Sequence, residues 1–184
     1  MGILLGFAPF IIFAVLSRFV AASFSLWAAA ATSAVLITRQ KMRGASMKIL
    51  EIGTFLLFAT LGLYAAVNGG GWDIPMVRTV VDGGLFLIIL ISMLVRRPFT
   101  LQYAREQVPA SVQSSPTFIK TNYILTAVWA LAMAILVVAD LTMHFLPGLP
   151  LRLEIVVMLA ALGGALWFTK WYPGQLRKQG RGGP

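Results

Sequence analysis

Tyr123–Phe145 reads YILTAVWALAMAILVVADLTMHF, an apolar run interrupted only by Asp140 and His144 near its end. It is longer than the roughly 20 residues a helix needs to cross a bilayer, and it contains no Pro or Gly. Five further apolar runs are bounded by charge or by Pro/Gly clusters. They are Ile3–Ser17, Ala21–Ile37, Ile49–Val67, Pro75–Val95 and Leu151–Thr169. The pattern predicts an all-α, polytopic integral membrane helix bundle with six transmembrane helices, occupying residues 1–172 as a single domain. Residues 173–184, rich in Gly, Arg and Lys, are expected to form a basic, disordered cytoplasmic tail attracted to anionic lipid.

Composition leads to the same class. Of 184 residues, 59% are hydrophobic and 11% are charged, and the mean hydropathy is +0.85. Soluble domains are about a quarter charged, so a water-facing surface cannot be built from this inventory. With no cysteine and a single histidine, His144, the chain has neither thiolate chemistry nor a multi-histidine metal site. Met1 and Gly2 supply no basic start to a signal peptide, and Gly6 stands where myristoylation expects Ser or Thr.

The net charge of +9 is a matter of placement. Arg39, Lys41, Arg43 and Lys48 lie between runs two and three, and Arg96, Arg97, Arg105 and Lys120 lie between runs four and five. Lys170, Arg177, Lys178 and Arg181 follow run six. The alternate connections carry only Arg18, Arg78 and Arg152. This asymmetry puts the basic loops and the carboxyl terminus in the cytoplasm by the positive-inside rule, and nucleic acid need not be invoked. Trp72 and Tyr64 near outer ends, and Tyr123, Trp167, Trp171 and Tyr172 near inner ends, fit two interfacial belts, whereas Trp27 and Trp129 read as packing residues. The first run is short and contains Pro9, so it either crosses a thin region or is re-entrant, leaving five spans.

Helix starts are legible at Asp73 with Pro75 and at Ser115-Pro116. The second predicts a helix from Pro116 to about Phe145, roughly 45 Å long. Between Pro98 and Pro109, the residues Phe99, Tyr103, Ala104 and Val108 share one helical face, leaving Gln102, Arg105 and Glu106 toward water. With Arg96 and Arg97 before it, this segment reads as an interfacial helix. It would be either a surface anchor or a docking surface for a cytoplasmic or membrane partner.

Ionisable residues inside a bilayer are costly and draw functional suspicion. Arg78 and Asp82 are spaced i, i+4, as are Asp140 and His144, and Arg152 and Glu154 open the last run. These six form a candidate polar cluster on the outer side, either a headgroup or proton site or a set of ion pairs locking helices together. Glu51 is alone near the inner end of its run, three residues from Lys48. Gly69-Gly70-Gly71 lacks the strand and the GK[ST] of a phosphate loop, and no GxSxG elbow is present. No catalytic, cofactor or metal site is predicted. Ala160/Gly164 and Ala161/Ala165 are small-residue pairs suited to helix packing within the chain, with self-association the lesser reading.

The layout resembles the intracellular septation protein A family of bacterial inner-membrane proteins. The resemblance rests on Gly6-Phe7-Ala8-Pro9-Phe10-Ile11-Ile12-Phe13-Ala14-Val15, on the basic Arg39–Arg43 stretch before Met47–Tyr64, and on Arg96-Arg97-Pro98. Arg105-Glu106, Val108-Pro109, Asn122 and Trp129-Ala130-Leu131 follow in order. Ile74 stands where the family's pattern usually has a basic residue. The resemblance implies a non-enzymatic, multi-pass inner-membrane protein that associates with division or wall-synthesis membrane proteins. The rival expectation, from the carboxylates themselves, is a small proton-coupled transporter or lipid-handling protein.

Overall fold

The computed structural model describes residues 5–68, 74–146 and 148–181, and all regular structure among them is helical. The helices are α1 (Ala8–Leu16), α2 (Ala22–Met42), α3 (Ile49–Val67), α4 (Ile74–Leu94), α5 (Phe99–Arg105), α6 (Ala110–Gln113), α7 (Pro116–Phe145) and α8 (Leu151–Arg181). Helices α3, α4, α7 and α8 each contain a stretch long and apolar enough to cross a membrane. At about 1.5 Å per residue α2 also has the length, but Ala, Ser and Thr through its middle and Arg39 and Lys41 in its last turn keep it out of that set. Helix α1 has nine residues, or about 14 Å, less than half of a hydrocarbon core about 30 Å thick. The count of six crossings therefore does not follow from helix length alone.

Packing runs in a chain, α1 on α2, α2 on α3, α3 on α4, α4 on α7 and α7 on α8, with α5 tucked against α7. Sequence periodicity explains which face each helix buries. In α4 the residues Val77, Val81, Leu85 and Ile89 recur every fourth position and are buried, while Met76, Leu87, Ile91 and Leu94 remain exposed. The corresponding stripe in α7 passes through Leu125, Trp129, Met133 and Leu136 to Asp140. So many exposed apolar side chains would be untenable in water and suit contact with lipid.

The core is aromatic where α1 enters. Phe7 stacks on Trp129 with centroids 4.6 Å apart, Phe99 meets that indole edge-on at 6.3 Å, and Phe10 and Phe13 both lean on Phe58. Gly6 sits so close to Tyr103 that a Cβ there would fall on the phenol oxygen, 3.0 Å from Cζ and 3.1 Å from Leu50 Cδ2. Only glycine lets the chain approach this closely.

Several expectations need amendment. Ser115 is the residue before α7 and Pro116 opens it, as expected, but no side-chain hydrogen bond caps the helix. The cap expected of Asp73, like Trp72 and the triple glycine, lies outside the described residues. Trp129 is buried, but Trp27 is 45% exposed, with one face against Gly62. Ala165 packs inward, whereas Gly163 and Gly164 face open space. Helix α8 continues through Pro173 to Arg181, where an irregular tail was expected. Extending an existing helix fixes one residue at a time and avoids the cost of a new nucleus.

The largest difference concerns α5. Phe99, Thr100, Leu101 and Tyr103 are buried, so the helix plugs one end of the bundle, and of the six expected docking residues Arg96, Arg97, Arg105 and Glu106 remain exposed. Two contacts explain this. Thr100 Oγ1 donates to the Asn122 carbonyl at 2.8 Å and lies 2.7 Å from Thr126 Oγ1. Gln102, expected to face water, accepts from the Ile49 amide at 2.9 Å and so satisfies an otherwise unpaired group at the start of α3. The chain turns into α5 through Arg96, which adopts the left-handed conformation at φ 57°.

Candidate functional site

Ionisable side chains gather at both ends of the bundle, and the two sets differ in kind. At the α5 end, Lys48 is only 2% exposed and Glu51 only 4%. Lys48 Nζ lies 2.9 Å from Glu106 Oε1 and 4.0 Å from Glu51 Oε1, donates to Gln40 Oε1 at 3.1 Å, and sits 4.9 Å from the centre of the Tyr103 ring. Glu51 Oε1 accepts from Gln40 Nε2 and from the Tyr103 hydroxyl, the latter at 3.0 Å. Burial, reinforced by the Glu51 charge, pushes the Tyr103 phenol well above its ordinary range. Glu51 is thus the centre of a network joining α2, α3 and α5, and not the isolated acid expected. The i, i+3 spacing of Lys48 and Glu51 was visible in the sequence, but the approach of Gln40 and Tyr103 is tertiary. Glu51 Oε2 is buried without a partner among the described residues, but Lys48, Gln40, Tyr103 and Glu51 Oε1 are joined to one another, which makes the cluster a structural clasp.

The opposite end is different. A cavity of about 220 Å³ opens among α1, α4, α7 and α8. Its deep part is apolar, formed by Phe10, Phe13, Trp129, Met133, Met158 and Leu162. Its polar residues, Arg18, Arg78, Asp82, Asp140 and Glu154, come from the same end of all four helices. Arg78 Nη1 and Glu154 Oε1 are 3.4 Å apart, an ion pair joining α4 to α8 with both side chains about four-fifths buried. The Asp82 and Asp140 carboxyl groups lie within hydrogen-bonding reach of each other. Asp140 Oδ2 is buried with no hydrogen-bond partner among the described residues.

Of the six residues in the expected polar cluster, the structure brings together Arg78, Asp82, Asp140 and Glu154. His144 is exposed and has its ring against Phe145, and Arg152 is exposed; neither lines the cavity. Turning four residues on from Asp140 carries His144 past the end of the buried stripe. Sequence reasoning missed that α1 and α8 wall the cavity with Phe13 and Met158, since helix rotation is not encoded in composition. Among the described residues no three His, Asp or Glu side chains converge as a metal-holding group.

The aromatic layer of Phe7, Phe99 and Trp129 lies between this cavity and the Glu51 cluster. No polar side chain lines the deep part of the cavity. What the arrangement can do chemically is hold a molecule with a charged end and an apolar body. No family model, curated protein or solved structure matches the chain.

Proposed function

We propose that this is a multi-pass membrane protein that binds a membrane amphiphile in the cavity between α1, α4, α7 and α8. The observation that carries the reading is the sorting of the lining, with ionisable groups at the mouth and only apolar side chains beneath. A conduit for protons or ions would need polar groups continuing past Trp129, so binding is favoured over transport. Pockets that enclose a whole drug-sized ligand occupy roughly 300–1,000 Å³. At about 220 Å³, this one takes a headgroup and part of one chain, with the rest of the molecule left in the bilayer.

In this reading the chain crosses six times, with α2 and the amino-terminal segment added to the four most apolar helices. Supporting the first crossing, Gly6 touches Tyr103 at one polar end while Arg18 lines the cavity mouth at the other. The twelve cations of the α5 end support a cytoplasmic location for that end by the positive-inside rule. The cavity mouth then faces the outer leaflet of the bacterial inner membrane that the family resemblance implies.

The test is photocrosslinking of the reconstituted protein with a phospholipid carrying a diazirine on its acyl chain. Adducts are expected on Phe13, Met158 and Leu162, and Ala139→Trp, which fills the lining, should suppress them. Labelling confined to outward residues such as Leu87 and Leu159 would sink the proposal.

A second reading keeps the association with division or wall-synthesis proteins that the resemblance implies. The exposed Arg96, Arg97 and Arg105 around α5 favour it as a basic surface. Photocrosslinking in living cells from position 97 tests it, and failure to capture any division or wall-synthesis protein would remove it.

A further inference from the structure

The mouth of the cavity is specific enough in its chemistry to name a headgroup. Resting on the amphiphile reading above, we infer that the ligand carries a primary ammonium beside a phosphate. The ammonium would sit at Asp82 and Asp140, and the phosphate at Arg18 with Arg78 behind it.

Asp140 is more than nine-tenths buried and lines the cavity, and its Oδ2 has no donor among the described residues. A buried acceptor left without a donor is costly, so a bound donor is worth more here than at the surface. Asp82 lies against Asp140 and adds a second acceptor group on the neighbouring helix. The cation closest in sequence, Arg78, is already paired with Glu154 across the cavity. The two carboxyl groups hold one proton between them, which leaves Asp140 Oδ2 and one negative charge for a ligand to meet.

The remaining charge completes the picture. Arg18 lines the mouth from the turn after α1, is exposed, and pairs with no carboxylate among the described residues. A purely cationic ligand would leave this guanidinium unused, and a purely anionic one would face the aspartates. A zwitterion with both charges in one headgroup satisfies the two together. A primary ammonium presents three N–H donors, whereas a quaternary ammonium presents none. A site built around orphaned acceptors rejects the analogue lacking donors much more strongly than an apolar site rejects a change of size. The cavity is thus expected to discriminate ethanolamine-type headgroups from choline-type headgroups carrying the same chains.

The experiment uses the full chain, delipidated in neutral detergent, with its unfolding midpoint followed as lipid is titrated in mixed micelles. The probes are dioleoyl phosphatidylethanolamine, its N,N-dimethyl derivative, dioleoyl phosphatidylcholine and dioleoyl phosphatidylglycerol. Phosphatidylethanolamine should bind about tenfold or more tighter than phosphatidylcholine, with the dimethyl lipid between them. Asp140→Asn should shrink that ratio to about threefold or less. Asp82→Asn serves as the second variant should the first fail to fold, and the methylation series on the wild type needs no variant. Equal affinity for ethanolamine and choline lipids would overturn the ammonium assignment but leave the amphiphile site standing. Tightest binding of phosphatidylglycerol would overturn it too, by showing that the arginines dominate. If no lipid raises the midpoint, the amphiphile reading itself falls.

Discussion

Lys48 offers the sharpest test of the packing argument, because a buried ammonium ties the consecutive helices α2 and α3 to the distant α5. Lys48→Met keeps the length of the side chain and removes the charge. Glu51, at 4% exposure, would then keep only the Gln40 amide and the Tyr103 hydroxyl as donors, with Oε2 still unpaired. Stranding one member of a buried ion pair costs roughly 3–5 kcal/mol. Glu106 adds less to the loss than Glu51, since it is 40% exposed and water can take the place of the ammonium at its carboxylate. For a chain of this size a kilocalorie shifts the midpoint by about 2–4 °C, so a fall of roughly 6–20 °C is expected. The double variant Lys48→Met/Glu51→Gln removes both charges and should recover about 2 kcal/mol of the loss. Thermal unfolding in detergent micelles, followed by helical circular dichroism, measures all three proteins and the Glu51→Gln single variant. A Lys48→Met protein as stable as wild type would refute the clasp. So would a double variant whose loss is the plain sum of the two single losses.

Three further outcomes follow from the same packing. Gly6→Val should lower the unfolding midpoint by about 5 °C or more, because its side chain would displace the Tyr103 hydroxyl; an unchanged midpoint would mean that the amino-terminal segment is not seated there. Thr100→Val removes both the bond to the Asn122 carbonyl and the contact with Thr126, and should cost about 1–3 kcal/mol in the same assay; a neutral result would separate α5 from α7. Tyr103 stays protonated in the fold while the unfolded phenol ionises near pH 10, so the folded state holds more protons and stability should fall as pH rises above about 10. Tyr103→Phe should flatten that alkaline decline in unfolding midpoints taken between about pH 8 and 11, and an unaltered slope would contradict the burial argument.

The helices were legible in the sequence because apolar length is a one-dimensional property. Ile49–Val67 is the same in both readings, and Pro116 opens α7 where a proline with no amide hydrogen to contribute is harmless. The polar end of the cavity was half legible. Arg78, Asp82, Asp140 and Glu154 meet because each continues, or borders, the buried stripe of its helix, while His144 falls one turn too far. What could not be read was pairing between segments. Gln102 looks like a water-facing residue until the start of α3 supplies an amide for it to bind. Lys48 likewise counted as one more cytoplasmic charge until α5 closed over it. Binary patterning records how polar a residue is, and these two residues are buried by partners tens of positions away.

The uneven packing of α8 carries a kinetic consequence. Only 6% of its most apolar stretch is buried, against 28–39% for the other three spans, and it is attached along α7, with the Trp129–Thr169 hydrogen bond near one end and the Arg78–Glu154 pair near the other. Helix α1, on the far side of the cavity, rests on α2 instead. On the amphiphile reading proposed above, a ligand would enter sideways between α1 and α8 without leaving the lipid phase. Occupancy then follows the mole fraction of the ligand among neighbouring lipids and is insensitive to its concentration in water. A poorly soluble molecule could saturate the site while remaining undetectable in the aqueous phase, and diluting the cell suspension would leave it bound.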